Sequence, residues 1–120
     1  MSDKLAFQKT KVDAAPDNVQ EWIRQNRSKQ QNKVFRENGK TYVVILLGQK
    51  TTGGYNVEME QIRRAKTENG NSINLVSYSV TEPEQGSINI QVLTYPMAIA
   101  VLDGEVKGEF QFKRKKNGEK

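Results

Sequence analysis

The spacing of apolar positions changes once along the chain. Between Pro16 and about Ser28, Val19, Trp22, Ile23 and Asn26 fall at helical intervals on one stripe, which predicts an amphipathic helix opened by the proline. Asp17 and Glu21 sit early in it and Arg24 and Arg27 late, as the helix dipole favours. A helix this short persists only by burying its stripe, so Trp22 reads as core. From Asn32 onward the period is that of strands. Tyr42-Val43-Val44-Ile45-Leu46-Leu47 is apolar at both parities, which predicts a central strand covered on each face, with the helix over one of them. Tyr55, Val57 and Met59 alternate with Asn56, Glu58 and Glu60 before Ile62 changes parity, so a bulge is expected near Gln61. Ser72 to Thr81 alternates less cleanly, Ile88, Ile90 and Val92 alternate well, and Val106, Phe110 and Phe112 share an inward face. Leu5 to Val12, with Leu5 and Phe7 on one side, reads as an edge strand.

Asn38-Gly39, Asn69-Gly70 and Asp103-Gly104 separate these runs and predict three tight hairpins, whose central positions need positive φ. The expected fold is mainly β: one antiparallel sandwich or partly open barrel with a single N-terminal helix packed on it, the alternative being one sheet with the helix across it. Residues 1–112 form the domain in this reading and residues 113–120 a disordered basic tail. Two breaks in the strand pattern stand out. Gly48-Gln49-Lys50-Thr51-Thr52-Gly53-Gly54-Tyr55 follows the central strand directly, and is either a recognition loop or a plain connection shaped by its glycines. It is not a phosphate loop, because its glycines lead into a strand and not a helix. Tyr95-Pro96 interrupts the apolar stretch from Ile88 to Leu102, and proline confines that point to a break, an edge or a bulge.

Composition removes most catalytic chemistry. The 120 residues contain neither cysteine nor histidine, which excludes disulfides, thiolate nucleophiles, imidazole general bases and the usual zinc ligand sets. Glu58 and Glu60 share a strand face and Glu82 and Glu84 flank Pro83, but neither pair has metal-loop spacing, so solvated carboxylates are expected, with no metal and no cofactor. The formal charge is +5, much of it from Lys113-Arg114-Lys115-Lys116; no aromatic residue interleaves with that run, so a specific nucleic-acid site is not expected. No apolar stretch is long enough to span a membrane. As written the chain reads as a cytoplasmic monomer, or as the mature fragment of an exported protein.

The glycine loop together with Leu93-Thr94-Tyr95-Pro96 resembles the C-terminal domain of the PrcB-type protease-complex subunits, in which a strand ends in Gly-Gln-Lys or Gly-Gln-Arg, a Thr-Gly-Gly-Tyr turn follows, and Thr-Tyr-Pro comes later. This chain has Thr51 where the family has proline and Met97 where it has an aromatic residue. The resemblance covers roughly Tyr42 to Leu102. It implies a non-catalytic module that binds a protein partner, a protease or its precursor, through Gln49, Lys50, Thr51, Thr52, Gly53, Gly54 and Tyr55 on one loop and Tyr95, Pro96 and Met97 on the other. Those two loops are then expected to be neighbours in space. Thr51-Thr52-Gly53-Gly54-Tyr55 also resembles, with one extra glycine, the Thr-Thr-Gly-Tyr loop of chagasin-type inhibitors, which implies the alternative of a protease inhibitor working through the same loops.

Overall fold

A computed structural model describes residues 4–51, 53–83 and 92–115. In chain order the elements are β1 (Gln8–Thr10), a short 3-10 turn (Val12–Ala14), α1 (Asp17–Asn26), β2 (Gln30–Glu37), β3 (Lys40–Leu47), β4 (Asn56–Lys66), β5 (Ser72–Thr81), β6 (Met97–Asp103) and β7 (Glu109–Lys115). They make two sheets, one ordered β1-β6-β3-β2 and the other β4-β5-β7, with the helix on the outer face of the first. The molecule is thus a β-sandwich with one added helical layer, and neither sheet closes into a barrel.

The apolar run at both parities of β3 is explained by this layering. Val43, Ile45 and Leu47 face the second sheet and meet Val57, Met59 and Ile62 of β4 and Val76, Tyr78 and Val80 of β5. Val44 and Leu46 face the other way and, with Ile99 of β6, bury Val19 and Ile23 of α1. Burial of an aliphatic side chain contributes about 1.5–3 kcal/mol, and those two residues hold a helix of only ten residues that would be marginal alone. Trp22 lies at the edge of the same cluster, edge-on to Phe35 with ring centroids 5.7 Å apart.

Two of the three expected hairpins form. At Asn38-Gly39 both residues take positive φ, 54° and 72°, and Glu37 pairs with Lys40 across a two-residue turn. At the second turn only Gly70 does so, because Thr67 pairs with Asn71 and the intervening loop is one residue longer. Between Met59 and Gln61 the register of β4 on β5 slips, leaving Glu60 as the bulged residue and restoring Ile62 to the core.

The third hairpin does not form. After Asp103 the chain leaves the first sheet, and β7 joins the second sheet parallel to β5, the one parallel pairing among the described strands. Three polar side chains distant in sequence hold this crossing. The buried Thr41 hydroxyl donates to Gly104 O and accepts from Val106 N, both at 2.8 Å. Arg36 donates to Val106 O at 2.8 Å and to Gly108 O at 3.0 Å. The buried Asn74 amide nitrogen donates to Lys107 O and Glu109 O, and two carbonyl partners fix which end of the amide faces them. With β7 in place, Phe110 and Phe112 pack on the inter-sheet core as their spacing predicted. Lys113, Arg114 and Lys115, expected in the basic tail, are strand residues of β7, paired with Ser77, Tyr78 and Ser79, and residues 116–120 lie outside the described ones.

At the other side of the sandwich the expected edge strand Leu5 to Val12 is regular only over Gln8–Thr10. Its earlier part joins the second sheet, where Leu5 N donates to Ile62 O at 2.7 Å and Lys4 bridges Arg63. The segment therefore straps one sheet to the other.

Candidate functional site

Hairpin register and the start of β6 bring the two sequence-derived loops together. β3 lies between β2 and β6, so the residues that continue it past Leu47 run beside those that precede Met97. Leu47 N donates to Pro96 O at 3.0 Å, and Lys50 and Thr94 exchange both backbone hydrogen bonds at 2.9 Å. The Tyr95 hydroxyl reaches Gln49 Oε1 at 3.3 Å. Gln49, Lys50, Tyr95 and Pro96 thus form one continuous surface. The Lys50 ammonium lies 5.2 Å from the centre of the Tyr55 ring, which brings Tyr55 to the same edge.

The remaining candidates sit differently. Met97 pairs with Leu46 and turns its side chain toward α1, where it is half-buried against the helix cluster and not exposed beside the loop. Thr51 is exposed, and Thr52 lies outside the described residues. The glycines that need positive φ are Gly48 (88°) and Gly54 (93°), and not Gly53. Tyr95 is half-buried, so the proline break is both a structural kink and part of the surface.

Four residues on or next to this surface were not among the expected site residues. Arg27 lies with its guanidinium carbon 4.2 Å over the centre of the Tyr95 ring, and Ser28 O accepts from Gln49 N at 3.3 Å. The signal for both was available: counting outward from the Asn38-Gly39 turn along the observed register sets Ser28 opposite Gln49 and Arg27 opposite Lys50. Val92 and Leu93 are the other two. They lead into Thr94 outside any strand, and are 46% and 55% exposed. The strand pattern had put Val92 in line with Ile88 and Ile90, which lie outside the described residues.

The carboxylate pairs have ordinary partners. Glu58 meets Lys9 at 2.9 Å, Glu60 accepts from the Ser79 hydroxyl at 2.9 Å, and Glu82 meets Arg114 at 3.2 Å; Glu84 lies outside the described residues. Among the described residues no cluster of three or more acidic side chains could hold a metal ion, and no helix is long and apolar enough to cross a membrane. Chelation with EDTA is accordingly expected to leave the thermal melting curve unchanged. A drop of several degrees would reassign the Glu58/Glu60 pair as a metal site.

Fold and surface together define a two-sheet β domain with one covering helix and a polar, aromatic-lined loop pair at the end of its central strand. Residues 41–103, from β3 through β6, match the family model described as PrcB C-terminal, and the chain belongs to that family. No curated protein and no solved structure matches the chain.

Proposed function

We propose that this domain is a non-catalytic protein-binding module that associates with a protease or protease precursor through the surface shared by Gln49, Lys50, Tyr55, Tyr95 and Pro96. Family membership supports the protease as partner class. The observation that carries the site is the Lys50–Thr94 pairing, which joins the two family motifs into one surface although they lie far apart in sequence. Loops carried on a rigid sheet are where binding residues concentrate, and half-buried tyrosines supply contact area at little entropic cost.

Lys50→Glu tests this reading. The Lys50 side chain ends in a cation over an aromatic ring and is not part of the core, so its replacement is expected to change stability by less than about 0.5 kcal/mol. Capture of the protease from lysate and medium is expected to fall at least about tenfold, the loss of roughly 1.4 kcal/mol of binding. Full capture by the variant, with an unchanged melting temperature, would remove the surface from the function. Assaying the captured protease separates stabilisation from inhibition, since an inhibitor lowers turnover on addition and a stabiliser lengthens the active lifetime. Met97→Asp does not serve as a second surface probe, because it places a charge against the helix cluster.

A further inference from the structure

Beside the loop pair, α1, the 3-10 turn and the start of β6 enclose an open cleft of about 380 Å³ lined by Val12, Gln20, Ile23, Arg24, Arg27 and Met97. Its apolar lining comes from Val12, Ile23 and Met97, and its polar lining from one amide and two guanidinium groups. We propose that this cleft receives an apolar side chain of the partner protein, carried on an acidic segment whose carboxylates pair with Arg27 and Arg24. The inference rests on the protein-binding reading above and names the chemistry of the partner.

The rim of the cleft is cationic. Arg27 presents one face to Tyr95, so its planar edge of N–H donors stays available for a carboxylate, the geometry that guanidinium groups recognise with two parallel hydrogen bonds. Among the described residues neither Arg27 nor Lys50 meets a carboxylate. Arg24 is paired with Glu21, but both side chains are more than half exposed, and such a pair contributes no more than about 1 kcal/mol and exchanges readily. The C-terminus of α1 adds roughly half a negative charge, which the two guanidinium groups outweigh.

The lining beneath that rim is apolar. A free phosphate or a nucleic-acid backbone would have no use for Val12, Ile23 and the deformable thioether of Met97, whereas a leucine-sized side chain fills such a space and leaves its neighbours at the cationic rim. All the lining residues except Met97 precede residue 41, so the cleft is built mostly from parts of the chain outside the family match.

The test titrates the full, ¹⁵N-labelled chain with a capped pentapeptide, Asp-Asp-Leu-Asp-Asp. Saturable amide shifts are expected at Ile23, Arg24, Arg27 and Met97. The Asn-for-Asp and Ala-for-Leu peptides should each bind at least about tenfold more weakly, and Arg27→Gln should weaken the parent peptide to the same extent. Equal binding of the Asn peptide overturns the proposal, as do shifts confined to the basic strand ends at Arg63, Arg64 and Lys66 or at Lys113 to Lys115. Inorganic phosphate reproducing the same shifts at the same concentration overturns it too, by reducing the site to a bare anion site. Protease capture that is lost with Lys50→Glu but intact with Arg27→Gln and Met97→Ala overturns the acidic-segment inference and leaves the loop surface standing.

Discussion

Thr41→Val is expected to destabilise the domain by about 2 kcal/mol, although both residues are β-branched and of similar size. Valine nearly fills the space of threonine but deprives Gly104 O of a donor and Val106 N of an acceptor, two part-buried hydrogen bonds that contribute about 1 kcal/mol each. The loss falls on the segment that carries the chain from the first sheet to the second. Urea denaturation read by tryptophan fluorescence measures it, and Arg36→Met provides the comparison. That side chain bonds to the same segment from a solvent-exposed position, so water replaces it and the cost is expected near 1 kcal/mol. A Thr41→Val variant within about 0.5 kcal/mol of the parent would mean that the Thr41 hydroxyl does not hold the crossing, leaving it to Arg36, Asn74 and the packing of Phe110 and Phe112.

Gly48→Ala and Gly53→Ala are expected to differ by several-fold in their effect, although both replace glycines of the same loop. Gly48 has φ of 88°, and a Cβ there would come within 3.1 Å of the backbone nitrogen of Gln30, which the β2–β3 ladder holds in place. The left-handed backbone costs an L-residue about 1–2 kcal/mol and the close contact about 1–3 more, so a loss of at least 2 kcal/mol is expected. At Gly53 the backbone is not in the positive region and a Cβ meets nothing within 4 Å, so alanine is expected to be neutral or to stabilise slightly by restricting the unfolded chain. Thermal melts of the two variants check this directly. A Gly53→Ala variant as damaged as Gly48→Ala would show that the loop is shaped at its tip and not at its root. The restriction falls on Gly48 because Ser28 and Lys29 turn in from α1 against it, a contact between segments that the loop's own residues do not reveal.

What the sequence determined by itself is what local spacing encodes. The stripe Val19, Trp22, Ile23 specified a helix with one buried side, and the unbroken run Tyr42 to Leu47 specified a strand with two. Asn38-Gly39 specified a two-residue turn, and the parity change before Ile62 specified a bulge. The family motifs likewise anticipated that the Gln49–Lys50 and Thr94–Tyr95 segments would meet. Tertiary structure alone decided where the chain goes after Gly104. Asp-Gly there is as good a hairpin signal as Asn-Gly at 38–39, yet β7 lies on the other sheet, because Thr41, Arg36 and Asn74 offer hydrogen bonds to residues 104–109 that a hairpin would forgo. It also decided that Met97 belongs to the helix cluster, that Arg27 covers Tyr95, and that Lys113 to Lys115 are strand residues. Periodicity reports which face of a segment is buried; which neighbour buries it depends on side chains tens of residues away, and those pairings exist only once the two sheets have stacked.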